Sequence, residues 1–172
     1  GGFDERYLKA QDAELSFRVA EAGHALGFEF SSKVKHYHAT SWLRYLRTQR
    51  QQGHWRVWLH LAHQGHSTGD SYSSALDHLQ PPLAMLSLAS APLVLLPLWR
   101  WVPIGCTGLL AAAQLPLCAR LIRRLKHPKY LAFAWMSFLR AYWRGVGMTI
   151  GTISYLAHRL RPAGHEPVRQ QT

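Results

Sequence analysis

Apolar residues recur at helical spacing near the start of the chain. Leu15, Val19 and Ala22 line one side of residues 12–22, and Gly23 stands where such a helix should stop. The period then shortens. Leu26, Phe28 and Phe30 alternate with other residues as a strand does, and in KVKHYH the residues Val34, His36 and His38 share one strand face, with Lys33, Lys35 and Tyr37 on the other. A second amphipathic helix is expected around residues 41–61, followed by the Gly-rich loop HQGHSTGDSYSS.

At Pro81-Pro82 the pattern changes abruptly. LAMLSLASAPLVLLPLW, residues 83–99, carries no charge; Arg100 interrupts, and WVPIGCTGLLAAAQLPLCA, residues 101–119, is again uncharged. A bilayer core takes about 20 helical residues, with a lower limit near 17. These runs therefore predict spans at about 82–99 and 101–119, with Trp99-Arg100-Trp101 as the tip of a hairpin. A soluble helical hairpin is the plainer alternative. YLAFAWMSFLRAYWRGVGMTIGTISYLAHRL has Arg140 and Arg144 one turn apart among Phe138, Tyr142 and Trp143. It is read as an interfacial helix or a third span, at 131–157. Residues 161–172 are expected to be a disordered tail. The expected division is thus 1–80, 81–160 and 161–172.

Charge sharpens this picture. The 172 residues include 20 Lys+Arg and 9 Asp+Glu, a formal net charge of +11. No compact basic tract of the kind that grips nucleic acid is present. Arg120, Arg123, Arg124, Lys126 and Lys129 instead cluster just after the second apolar run, as juxtamembrane charge does. On that basis residues 1–80 and the basic link face the cytoplasm, and the protein is expected in the (inner) cell membrane. Cys106 and Cys118 lie inside apolar runs with no metal-ligand spacing, and are read as small apolar residues. The first residue is Gly1 and no signal peptide is evident, so the chain reads as the C-terminal part of something longer.

Taken alone, Asp12 is an acid in the first turn of a helix, where it suits the positive end of the dipole. Two alternating histidines are likewise no metal site without further ligands. Their order in the chain adds more. Gly1-Gly2-Phe3-Asp4-Glu5, then Gln11-Asp12, Glu14-Leu15 with Arg18, Ala22-Gly23, and Val34 with His36 resemble, over about residues 1–55, the latter half of the catalytic domain of family 2 glycosyltransferases. The resemblance implies an α/β fold: the C-terminal half of a GT-A-like nucleotide-diphospho-sugar transferase domain, followed by transmembrane helices.

What it implies for chemistry can be taken residue by residue. Asp12 matches the catalytic base, the second member of an acidic pair. Gln11 stands where Glu or Asp is usual, so it holds sugar only through amide hydrogen bonds. His36 follows Asp12 by 24 residues and matches the histidine that completes a divalent-metal site (Mn2+ or Mg2+) in some members. The remaining oxygen ligands come in that family from an Asp-x-Asp motif, which this sequence lacks. Gln51-x-x-His54-Trp55 resembles the Gln-x-x-Arg-Trp motif of membrane-embedded members, with His in place of Arg. Trp55 is then placed to stack on a sugar and Arg56 to meet diphosphate; the plainer reading has the tryptophans anchoring a helix at headgroup level.

The expected function is inverting transfer from a nucleotide-diphospho-sugar donor to a lipid-linked or polysaccharide acceptor at the membrane, with no nucleic-acid partner. The chain alone is expected to be inactive. A His-rich membrane scaffold or metal-handling subunit is the alternative.

Overall fold

A computed structural model describes residues 2–27, 29, 31–35, 40–63 and 75–160. Among the described residues, six α-helices carry the fold: α1 (Gln11–Glu21), α2 (Trp42–Ala62), α3 (Ala75–Ala89), α4 (Trp101–Ala112), α5 (Leu115–Leu125) and α6 (Leu131–Leu160). Short 3-10 turns lie at Ala91–Leu95 and Pro128–Tyr130.

Local chemistry accounts for the first two helices. α1 begins after Ala10, which sits in the left-handed region (φ 63°) and supplies no side-chain cap. Asp12 and Glu14 in its first turn offset the exposed N–H groups there. It ends at Gly23, whose φ of +80° closes the helix without steric cost. α2 starts where Ser41 Oγ accepts from Arg44 N–H at 3.3 Å, a serine N-cap.

α2 and α6 form the most extensive helix pair. Glycine makes their close approach possible. A Cβ on Gly53 would strike the Arg144 carbonyl, one on Gly147 the Arg50 carbonyl, and one on Gly151 would lie 2.6 Å from the His54 carbonyl oxygen. α3 packs beside α6 through Gly145, where a Cβ would fall 2.8 Å from the Pro81 carbonyl oxygen. A small core of Ala84, Leu110 and Ala141 joins α3, α4 and α6, with Met85, Phe138 and Tyr142 packed around it. Tyr142 OH and Ser87 Oγ lie 2.9 Å apart and share a hydrogen bond across this core.

The α/β expectation is overturned: the described residues contain helices, turns and irregular chain, and no strand. Leu26 and residues 33–35 are irregular, while Phe28, Phe30, His36 and His38 lie outside the described residues. An alternating pattern becomes a strand only where a neighbour completes its hydrogen-bond ladder. No described segment offers one.

The three expected spans are corrected too. No helix among the described residues is long and apolar enough to cross a membrane. Proline and polar residues divide the apolar runs. α3 runs through Pro81-Pro82 and stops at Ala89, before Pro92; Leu96 before Pro97 is extended (φ −99°, ψ 118°). Both breaks follow from proline's missing N–H and from the restriction it places on the residue before it. The second run divides between Ala112 and Leu115, with Pro116 opening α5. α4 has 12 residues, about 18 Å at ~1.5 Å per residue, against a hydrocarbon core of about 30 Å. α6 has the length, at 30 residues, but Arg140 and Arg144 stand within it.

Candidate functional site

Asp12 is exposed in the first turn of α1, and its backbone carbonyl accepts from Ser16 Oγ at 2.8 Å. Gln11 opens the helix and is half-buried. One turn on, Glu14 is 3 % exposed, and its carboxylate accepts from Arg18 Nε at 2.6 Å and from Arg18 Nη2 at 3.0 Å. The same Nη2 donates to the Gly2 carbonyl at 2.7 Å, tying the N-terminal chain to the helix.

α2 is joined to this segment at two places. His63, at its C-terminal end, has Nδ1 2.8 Å from Glu21 and Nε2 3.9 Å from Glu14. Its ring also meets Phe17 edge-on at 5.8 Å. Tyr7 is buried, and its ring centroid lies 5.4 Å from that of Trp55. Burial, then the nearby Asp4 and Glu14 carboxylates, push the Tyr7 hydroxyl above its usual pKa, so it remains a neutral donor. Between these elements lies an open cleft of about 530 Å3, lined by Gly2, Asp4, Arg6, Glu14, Arg18 and His63 among others. Arg6 grips Asp4 at 2.8 Å and holds that carboxyl below its ordinary range. Asp12 shares α1 with this cleft but is not one of its lining residues.

The QxxHW element divides. Gln51 is exposed; His54 and Trp55 follow on the same side of α2, with ring centroids 4.8 Å apart. Trp58 continues the aromatic row, 5.7 Å from Trp55, and crosses to α6 by donating from Nε1 to Ser154 Oγ at 2.9 Å. Burial, then Arg50, lower the His54 pKa from its usual 6.5. His54 is therefore neutral at pH 7 and does not replace the charge of the arginine it substitutes in the motif. Arg56 lies elsewhere. It lines a recess between α2, α3 and α6 with Asp77 and Arg144, away from the Tyr7–Trp55 contact.

His36 lies outside the described residues, so its expected role as a metal ligand has no placement here. Among the described residues no three His, Cys, Asp or Glu side chains converge in a way that could hold a metal ion. Cys106 and Cys118 are unpaired thiols.

Sequence reasoning missed the His63 bridge, the Tyr7–Trp55 contact and the recess around Arg144. Only the Glu14–Arg18 pair had a local signal, its i, i+4 spacing. Comparison of the chain with models of protein families, with characterised proteins and with solved structures gives no match.

Proposed function

We propose that this chain is part of a membrane-associated glycosyltransferase that passes a sugar from a nucleotide-diphospho-sugar to a lipid-linked or polysaccharide acceptor. One observation carries the reading: Tyr7 packs on Trp55, so the acid-bearing segment and the QxxHW helix, which the resemblance assigns to one site, are neighbours. That contact joins residues 48 positions apart. His63, held by Glu21 and close to Glu14, adds a second link.

In this reading Asp12 takes the proton of the acceptor hydroxyl. The hydroxyl oxygen attacks the anomeric carbon, and the bond to the nucleoside diphosphate breaks with its electrons leaving on the diphosphate. Configuration inverts. The positive end of α1 favours a carboxylate at this position, and its exposure leaves room for an acceptor. The Glu14–Arg18–Gly2 network fixes the helix that presents it. Trp55 offers an aromatic edge for sugar contact. These 172 residues hold no Asp-x-Asp motif, so the reading requires a nucleotide-binding portion, with its Mn2+ or Mg2+ ligands, in addition to them.

The exposed apolar surface supports the membrane part of the reading. Leu95 is 85 % and Leu98 82 % exposed, with Trp99, Trp101, Ile104, Leu109 and Leu115 also open. Arg120, Arg123 and Arg124 stand on one face of α5 close by in sequence. Asp12→Asn in the complete enzyme is expected to lower transfer by about 100-fold or more, the lower range for a general base, with donor binding retained. Turnover at the parent rate would remove Asp12 from the mechanism. His36→Ala should raise the metal concentration needed for half-maximal activity; an unchanged metal response would remove His36.

A further inference from the structure

A second cavity lies where α2, α3 and α6 meet. Its volume is about 60 Å3, and Gly53, Arg56, His60, Asp77, His78 and Arg144 are among its walls. A single water needs at least ~10–15 Å3 of such space. The recess is therefore several waters in size, large enough for one tetrahedral oxyanion and too small for a nucleotide.

Arg144 is its central group. The α2–α6 glycine crossing brings the α6 backbone against Gly53, so the Arg144 side chain is confined between helices. Arg144 Nη2 donates to Gln49 Oε1 at 2.8 Å, while Nε is buried without an acceptor among the described residues. Burial comes first, then the charges of Arg140 and Arg56, in lowering its pKa from the usual guanidinium value. Tyr45 and the Asp77 carboxylate offset this only in part. Arg140 donates to Asp77 Oδ1 at 3.0 Å and to Ser137 Oγ at 3.2 Å, so that carboxylate already serves another guanidinium. Arg56, His60 and Asp77 hold further interactions of their own. What the recess lacks is an acceptor for Arg144 Nε. Guanidinium groups confined beside one another, with an N–H left over, are the chemistry that binds a phosphate-type oxyanion.

We propose that the recess bounded by Arg144, Arg56, His60 and His78 is a binding site for a single phosphate oxyanion, which accepts from Arg144 Nε and offsets the crowded positive charge. The site is independent of the transfer chemistry above. It shares no residue with the Asp12 segment, although Arg56 was read from sequence as a diphosphate contact.

Thermal unfolding of the 172-residue chain in sodium phosphate and in sodium chloride at matched ionic strength tests this. Phosphate should raise the midpoint by several degrees over chloride; equal midpoints would overturn the site unless a headgroup is the ligand. That arm uses phosphatidylcholine vesicles with and without phosphatidic acid. Stabilisation by inorganic phosphate assigns a free anion, and stabilisation by phosphatidic acid alone assigns a lipid headgroup. The absence of both effects would overturn the proposal. Arg144→Met should remove the response, and Arg120→Gln with Arg123→Gln and Arg124→Gln on α5 should leave it intact; the reverse pattern would place binding on α5. Where Arg144→Met fails to fold, Gln49→Glu decides. A carboxylate beside Arg144 supplies the missing anion internally, so the phosphate response should vanish, and its persistence would overturn the site.

Discussion

Two parts of this molecule use apolar residues in opposite ways. α2 is rich in arginine, histidine and glutamine, yet it closes on α6 down to backbone contact at Gly53, Gly147 and Gly151. Residues 91–115 are almost wholly apolar, yet Leu95, Leu98, Trp99, Trp101, Ile104 and Leu109 remain open. Packing in the first region is decided by shape, since small residues let two helices approach until side chains of the outer rows interlock. In the second, Leu110 reaches the core, but most of the apolar character has no surface to bury it. Short helices broken at prolines cannot wrap a common core. The lesson is that hydrophobicity along the chain reports what needs cover, and residue size reports where cover is found.

The largest expected effect sets a glycine in one region against a glycine in the other. Gly147→Leu inserts a side chain where even a Cβ would meet the Arg50 carbonyl, and backbone cannot yield as a flexible side chain does. A loss of about 3 kcal/mol or more is expected, the upper range of overpacking. Gly108 of α4 has nothing within 4 Å of its Cβ position. Gly108→Ala should therefore stabilise by about 0.5–1 kcal/mol, the helix-propensity difference. Denaturant unfolding of both variants reads the contrast. Equal losses would show that α4 is as tightly enclosed as α6.

A pair of tryptophans gives a smaller contrast. Trp58 donates to Ser154, meets Tyr155 edge-on at 5.4 Å and lies 5.4 Å from His158, so it fastens α2 to α6. Trp58→Ala should cost about 2–3 kcal/mol, somewhat under the value for a fully buried ring. Trp101 is 64 % exposed, with Arg100 5.2 Å over its ring. Trp101→Ala should fall within about 0.5 kcal/mol of the parent. The same variant should weaken partition onto vesicles if the open apolar surface meets lipid. A Trp101 variant that unfolds readily would instead place that ring in a core.

How much of this was legible beforehand differs between the same two regions. Residues 12–22 and 41–61 were expected as helices, and α1 and α2 occupy nearly those positions, because the 3.6-residue period and Gly23 act locally on α1 and the Ser41 cap on α2. The alternation gives no strand at Leu26 or at residues 33–35, since strand formation depends on a partner that the period cannot reveal. Uncharged length was likewise misleading at 83–119, where Pro92, Pro97 and Pro116 act against helix continuation more strongly than apolar composition favours it. At the site, Glu14 and Arg18 were readable as a pair four residues apart. Tyr7 against Trp55 and Arg144 against Gln49 join positions 48 and 95 residues apart, and nothing local announces them.

The smallest effect concerns pH and sharpens the polar side of the comparison. His54 sits in the aromatic row of α2, where burial and then Arg50 hold its pKa below 6.5. The folded chain thus binds this proton less readily than the unfolded chain. The unfolded state takes up more protons in that range, so the His54 contribution is present above the unfolded pKa near 6.5 and is lost as pH falls through the folded value. His54→Gln, which cannot titrate, should flatten the stability profile below about pH 6.5, while leaving the alkaline limb unchanged. Tyr7 supplies the opposite sign at the other end. Its raised pKa gives a contribution that is full below the unfolded value near 10 and is lost as pH rises through the folded one, so Tyr7→Phe should flatten the alkaline limb alone. Urea midpoints of the parent and both variants from pH 5 to 11 separate the two. An acid limb unchanged in His54→Gln would mean that the ring is solvated, and that the α2 row near Trp55 is open to water.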